Sequence, residues 1–323
     1  MKKPLVIIAR NIPKEGLEEL YKHCRVQMHK DSMPPSRSEL LSYSSRADAL
    51  ITVLTEKVDA ELLSSAKSLK IVANYAVGFD NIDLKAAKKA GIYATNTPGN
   101  LGSAVAEQAM GMILVLSKKM LQGDRFMRAN KYKAWDPNLL LGNNVGEKTL
   151  GIIGVGNIGS VLVKIAHDGF GMKILYHDVI QNKEIEKAQK AKRVSLSQLL
   201  KTSDAVSVHV PLLPSTKHLI GASELNQMKE TAVLVNTSRG PVIDEKALVK
   251  ALKANKIAGA GLDVFEFEPK MAPGLAKLEN IVLTPHIASA TIEARTEMGE
   301  IATQNILDVL IRGKKPRNEL KPE

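Results

Sequence analysis

Gly154-Val155-Gly156-Asn157-Ile158-Gly159 is a G-x-G-x-x-G loop. Glycine is common, so the loop carries little weight alone. Its neighbours supply the weight. The apolar run Thr149–Ile153 precedes it, a helical pattern over Ile158–Ala166 follows, and the next strand-like run, Lys173–His177, ends in Asp178. That order and spacing is the fingerprint of a dinucleotide-binding βαβ unit. Gly154 permits the tight turn, Gly156 lets backbone approach a pyrophosphate, and Gly159 allows close packing of helix and strand. The helix start at Asn157 and Ile158 offers free N–H groups and the positive end of a helix dipole. Asp178 is placed to accept hydrogen bonds from ribose hydroxyls and to repel a 2′-phosphate. No arginine follows in Val179-Ile180-Gln181, so NADH is expected over NADPH.

A nicotinamide enzyme that reduces a ketone needs an acid for the oxygen as hydride reaches the carbon. Histidine suits that task near neutral pH. Of the seven histidines, His23, His29, His167 and His218 stand in polar or helical contexts and are expected at the surface. His177 and His209 lie at strand ends near the cofactor crevice, where packing alone would explain them. His286 follows a strand and a proline in Thr284-Pro285-His286-Ile287-Ala288-Ser289. Strand carboxyl ends face the ligand crevice in open α/β sheets. By position alone, a structural role for His286 is nearly as good an account.

The elements that must position these groups are legible as a pattern. Apolar runs at Leu5–Ala9, Ala49–Leu54, Lys70–Asn74, Leu150–Ile153, Lys173–His177, Ala205–Val210, Ala232–Val235, Ala258–Val264 and Ile281–Thr284 read as strands. Helical stretches such as Leu17–His23, Glu61–Ser65, Leu84–Lys89, Ala104–Met120 and Glu245–Ala254 alternate with them. Such alternation predicts an α/β fold of βαβ units with parallel sheets. The helix Ile292–Ile311 has no strand after it and could fold back on the N-terminal part. Gln122–Gly146 lacks clean periodicity and carries Trp135; an irregular stretch of that length is usually functional or an interaction arm.

Composition narrows the class. The 323 residues are 44% hydrophobic and 24% charged, ordinary for a folded protein with two domains. Ala109–Leu116 is far short of the roughly 18 apolar residues of a membrane span, and the N-terminus lacks a secretory pattern. The lone Cys24 excludes an intramolecular disulfide and a cysteine zinc site, and a cytoplasmic setting is expected. The net charge is +11, but the lysines are spread at helix-like spacings as on solvated faces, so no nucleic-acid partner is expected. Only Arg312–Arg317 is densely basic, and it reads as a surface tail.

Further motifs run the length of the chain: Asn74-Tyr75-Ala76-Val77-Gly78-Phe79-Asp80-Asn81-Ile82-Asp83, Val235-Asn236-Thr237-Ser238-Arg239-Gly240, Gly261-Leu262-Asp263-Val264-Phe265-Glu266-Phe267-Glu268-Pro269 and Pro285–Thr291. With the glycine loop, they resemble the D-isomer-specific 2-hydroxyacid dehydrogenases over nearly the whole sequence. Within that family the chain looks most like the glyoxylate/hydroxypyruvate reductase branch, partly through Met271-Ala272-Pro273-Gly274-Leu275. The resemblance implies two Rossmann-like domains. The substrate-binding domain comes from 1–99 and 288–323, and the NAD-binding domain, 100–287, is inserted into it.

The resemblance also implies roles. Arg239 matches the arginine that grips the substrate carboxylate and polarises the keto oxygen, for which a planar guanidinium is suited. His286 matches the general acid/base, and Glu268 the carboxylate that holds its imidazole. Val77 and Gly78 match backbone donors to the substrate carboxylate, with an ordinary turn as the alternative. Ser289 lies where a further substrate contact is expected, with helix capping as a competitor. Val210, Pro211, Thr237, Ser238, Arg239 and Asp263 match cofactor-side positions. Trp135 lies in the arm that crosses to a partner subunit in resembling reductases, so a homodimer is expected; it would cap the neighbour's site or simply pack in the interface.

The implied substrate is a small 2-keto or 2-hydroxy acid, with glyoxylate or hydroxypyruvate the first choice. Three rivals share the architecture. Formate dehydrogenase carries glutamine where Glu268 stands. Phosphoglycerate dehydrogenase would use a phosphorylated acid. A NAD-sensing transcriptional corepressor would bind peptide motifs with little turnover.

Overall fold

In the computed structural model, which describes residues 3–99 and 101–322, the chain divides into two units. One is built from residues 1–100 and 290–323, the other from 101–289. Asn100, where the sequence reading starts the inserted domain, lies outside the described residues, as do Met1, Lys2 and Glu323.

The first unit contains β1 (Leu5–Ile8), β2 (Arg25–Met28), β3 (Ala49–Thr52), β4 (Ile71–Asn74) and β5 (Tyr93–Thr95). Among the described residues they form a five-stranded sheet in the order β2-β1-β3-β4-β5, every pair parallel. β1, β3 and β4 are buried along their whole length, which is why they read as unbroken apolar runs. β2 and β5 escaped the sequence reading because they are edges: Arg25–Met28 alternates exposed and half-buried positions and is half polar. Helix Ile292–Leu310 belongs to this unit, capped by Thr291, whose hydroxyl accepts the Ala294 N–H at 3.1 Å. It packs on the turn at Gly16, where φ is +83° and a Cβ would collide with the carbonyl of Thr296. Thr303 donates to the Gly16 carbonyl at 3.0 Å.

The second unit contains β6 (Thr149–Ile153), β7 (Lys173–His177), β8 (Lys192–Arg193), β9 (Ala205–Val208), β10 (Val233–Asn236), β11 (Gly259–Leu262) and β12 (Ile281–Leu283). Its sheet has the order β12-β11-β10-β9-β6-β7-β8, again parallel throughout. Two apolar clusters cover its faces. Val206, Val208, Leu234 and Ile153 pack with Leu199, Leu248 and Leu252 on one side. Leu150, Ile152, Ala205, Val233 and Val235 pack with Ala106, Ala109 and Leu162 on the other. The order reverses direction between β9 and β6, and open α/β sheets bind ligands outside the strand ends at such a point.

Three expectations need correction. The long helix ends at Ser117, because Lys119 adopts φ +51°, and a new helix runs over Met120–Arg128. The first part of the supposed irregular arm is therefore helical. His29 is buried, not on the surface: Nδ1 lies 2.9 Å from the Tyr43 hydroxyl and Nε2 3.2 Å from the Met33 carbonyl. The basic tail is partly pinned, since Arg312 and Arg317 both hold Asp308, at 2.6 and 2.9 Å. No helix among the described residues is long and apolar enough to cross a membrane. No cluster of three or more His, Cys, Asp or Glu there could hold a metal ion.

Candidate active site

In the second unit three loops at strand carboxyl ends carry Arg239, Glu268 and His286. Asp263 and Thr284 stand one residue beyond β11 and β12. The Asp263 carbonyl accepts the His286 N–H at 2.8 Å. Its fully buried carboxylate accepts the amides of Ile287 and Ala288, each at 2.8 Å, and the Thr284 hydroxyl at 2.5 Å. The turn is thus wound around one side chain. It holds His286 at φ +55°, left-handed backbone that non-glycine residues seldom adopt and that persists only where its surroundings enforce it. The sequence reading placed Asp263 on the cofactor side, and in this structure its oxygens are engaged by the turn.

His286 Nδ1 lies 3.1 Å from Glu268 Oε2, with both side chains about one-third exposed. Burial pushes the Glu268 carboxyl up. The hydrogen bond and charge of His286, the N–H of Phe265 at 3.0 Å and the charge of Arg239 outweigh it and hold the group below the usual carboxylate range. Glu268 is therefore an anion facing the imidazole. That arrangement fixes the orientation of the ring.

Arg239 follows β10 in extended backbone, half-buried, with its carbonyl accepting from Asn236 Nδ2 at 2.9 Å and Nη1 donating to the Ser238 carbonyl at 2.8 Å. Ser238 is tied to Asn236 Oδ1 through both N–H and hydroxyl, at 2.9 and 2.8 Å. Gly240 explains how the loops approach each other. A Cβ there would collide with the backbone of Phe265, so the Arg239 loop lies directly on the loop leading to Glu268.

Gly154 has φ +92°, and its N–H donates to the His177 carbonyl at 2.9 Å. A Cβ at Gly159 would collide with the Gly154 carbonyl, so the close approach is between helix and loop. A Cβ at Gly156 would meet nothing within 4 Å, which leaves room above the start of helix Asn157–Lys164. Asp178 Oδ2 accepts the Val155 N–H at 2.8 Å and Oδ1 the Ile180 N–H at 3.0 Å, locking the carboxylate beside the loop. These features fit a dinucleotide: an open glycine turn, a helix start and a fixed acid at the next strand end.

Arg193, on β8, went unnoticed in the sequence. Its guanidinium donates to the Asp178 carbonyl at 2.8 and 3.1 Å and to the Val179 carbonyl at 2.9 Å. The only signal for it was a tertiary one, because β8 is a two-residue edge strand paired to β7.

The remaining residues divide. Thr237 is buried, its hydroxyl without a partner among the described residues; Val210 is half-buried and Pro211 exposed. Ser289 is half-buried and does not cap the following helix, since Thr291 does. Trp135 is 79% exposed in the irregular stretch after Arg128. In the first unit, Asn96 Nδ2 donates to the Val77 carbonyl at 2.7 Å and Asn74 Nδ2 to the Gly78 carbonyl at 2.8 Å. Neither the Val77 nor the Gly78 N–H has a partner among the described residues, so two amides are held in place and unspent.

Known proteins resemble this chain along nearly its whole length. Residues 110–288 match the D-isomer specific 2-hydroxyacid dehydrogenase, NAD binding domain. A glyoxylate reductase of Korarchaeum cryptofilum is 47% identical over 99% of this chain and 97% of its own length. One from Thermococcus litoralis is 47% identical over 98% and 96%. Among solved structures, a Thermus thermophilus protein superposes with a TM-score of 0.92 at 38% identity, covering 98% of this chain and 99% of its own. A glyoxylate reductase from Paecilomyes thermophila superposes at 0.86 with 32% identity, covering 99% of each. The chain belongs to the D-isomer specific 2-hydroxyacid dehydrogenases and is an NAD-dependent oxidoreductase acting on small 2-hydroxy or 2-keto acids.

Proposed function

We propose that this enzyme reduces glyoxylate or hydroxypyruvate, preferring NADH to NADPH and working as a homodimer in the cytoplasm. The observation that carries the site assignment is the 3.1 Å pair of His286 and Glu268 on a turn enforced by Asp263, with the Arg239 loop packed against the Glu268 loop. The relatives named as glyoxylate reductases support the substrate.

When bound, a nicotinamide dinucleotide would supply the hydride that the carbonyl carbon accepts. Gly154, Gly156, Asn157, Ile158, Gly159 and Asp178 would hold it, with Val210, Pro211, Thr237 and Ser238 alongside. Arg239 anchors the substrate carboxylate through paired hydrogen bonds and draws electron density toward the keto oxygen. In the first unit, the Val77 and Gly78 amides are the candidate donors to a carboxylate. His286 gives its proton to the oxygen as the carbinol forms, and Glu268 keeps the imidazolium charged until then. In the reverse direction neutral His286 takes the hydroxyl proton. Ser289 adds a substrate contact, and Trp135, exposed on the arm, meets the partner subunit.

The domain division follows the same reading. Residues 1–99 and 288–323 serve the substrate, and 100–287 serve the cofactor. Initial rates with glyoxylate, hydroxypyruvate, pyruvate and 3-phosphohydroxypyruvate, each with NADH and NADPH, test the assignment. A kcat/KM highest for the phosphorylated acid would replace it with the phosphoglycerate reading.

A further inference from the structure

Glu245 is a buried acid with no role in the scheme above. It is the first residue of helix Glu245–Lys253, next to the N-cap Asp244, whose side chain accepts the Ala247 N–H at 3.0 Å. Only 1% of its surface is exposed. Glutamate is seldom buried so fully unless it is paired, because an anion loses its water there. Burial and the carboxylates of Glu266 and Glu268 push the Glu245 carboxyl up, against the pull of two amides. An acid in the first turn could favour the helix dipole while facing solvent, so the dipole does not account for the burial.

The two amides do account for it. Glu245 Oε1 accepts the Glu266 N–H at 2.7 Å, and Oε2 accepts the Ala272 N–H at 2.8 Å. Both oxygens therefore hold the two ends of the loop Glu266–Ala272, and Glu268 lies on that loop. The Glu245 N–H donates in return to Glu266 Oε2 at 3.3 Å, and Glu266 Oε1 lies 2.7 Å from His218 Nε2. The adjacent Phe265 N–H donates to Glu268 Oε1, while Glu268 Oε2 is the oxygen beside His286. A Cβ at Gly240 would strike the backbone of this same Phe265–Glu266 pair. One short segment thus has two tasks: its start presents Arg239, and its end grips the loop of Glu268.

We propose that Glu245 is a positioning residue for the reaction: its carboxylate clasps both ends of the Glu266–Ala272 loop and so sets Glu268 against His286. The proposal rests on the assignment of Glu268 and His286 to the proton relay, and it adds a residue that acts through the loop rather than on the substrate. An ionised carboxylate suits the task, because it offers two accepting oxygens to two N–H groups. Such charge-assisted bonds are roughly twice as strong as neutral ones. A glutamine would turn an NH2 group toward one of the two amides. An alanine would leave both without this acceptor.

The test is the pH profile of kcat with NADH and glyoxylate, or whichever 2-keto acid gives the highest kcat/KM. Four full-length proteins are compared: wild type, Glu245→Gln, Glu268→Gln and the double variant. Glu245→Gln should lower kcat about tenfold and move the falling limb to lower pH, in the direction of Glu268→Gln, with Kd for NADH unchanged. In the Glu268→Gln background it should add little of either effect, since the group it positions is gone. Glu245→Ala, where it folds, should exceed Glu245→Gln in both. A Glu245→Gln profile that stays in place, whatever its Tm, overturns the proposal. So does a shift of equal size in both backgrounds, which would mean that Glu245 acts on His286 without Glu268. If Glu268→Gln alone leaves the profile in place, the relay itself has failed, and the proposal with it.

Discussion

The Asp263 carboxylate, at 2.8 Å from the amides of both Ile287 and Ala288, fixes the backbone that presents His286. Hydrogen bonds to an ionised acceptor are roughly twice as strong as neutral ones, and three donors converge here with the Thr284 hydroxyl. They hold His286 at φ +55° against its own preference. Asp263→Asn replaces one accepting oxygen by an NH2 group that faces a donor. The turn should relax, and kcat should fall at least tenfold with KM for the keto acid changed far less. Steady-state kinetics check this, and circular dichroism should show an intact fold. An unchanged kcat would mean that the turn holds His286 without the carboxylate.

The Glu268–His286 pair predicts the pH dependence. Reduction requires imidazolium, so its rate should fall as pH rises and His286 loses its proton. Oxidation requires the neutral ring and should rise over the same window. Glu268 is held below the usual carboxylate range, so it stays charged as pH falls through the value of a free glutamate. Glu268→Gln removes that anion, and both limbs should shift to lower pH. His286→Ala should cost roughly 10²–10⁴ in kcat while NADH still binds. Profiles of both directions for wild type and Glu268→Gln decide the matter; superimposable curves would remove Glu268 from the proton relay.

Arg239 is placed by the collision that excludes any side chain at Gly240, and the anchoring role depends on the shape of its guanidinium. Arg239→Lys keeps the charge but loses the planar fork. KM for glyoxylate should rise tenfold or more, and kcat should fall as well if the same group polarises the carbonyl. NADH affinity, measured without substrate, should change little. Wild-type KM and kcat in this variant would reject the carboxylate anchor.

Much of this arrangement was legible in the residues because local rules and the fold agree. β3, β4, β9 and β10 are buried on both faces and read as apolar runs. Gly154 and Gly159 each meet a backbone approach that only glycine allows, and the loop was found by that spacing. Edges were the opposite case. β2 is half polar and half exposed, and β8 is two exposed basic residues, so neither shows the apolar run that marks a buried strand. Contacts made across distance were equally hidden. Arg193 lies fifteen residues from the carbonyl of Asp178 that it grips, and Asp263 more than twenty from the amides it binds.

Arg193 also sharpens the coenzyme prediction. The carboxylate of Asp178 is fixed by two amides, and a 2′-phosphate there would face that anion at short range. NADH should therefore give the higher kcat/KM in the wild-type enzyme. Asp178→Ala removes the repulsion and leaves Arg193, whose guanidinium is already at the same turn. The preference should narrow about tenfold or more, chiefly through a lower KM for NADPH. Adding Arg193→Met to Asp178→Ala should reverse most of that gain, because a long uncharged chain neither holds the two carbonyls nor attracts phosphate. Equal kcat/KM for both coenzymes in the unmodified enzyme would refute the role of Asp178. An Asp178→Ala gain that survives loss of the arginine would show that relief of repulsion alone accounts for it.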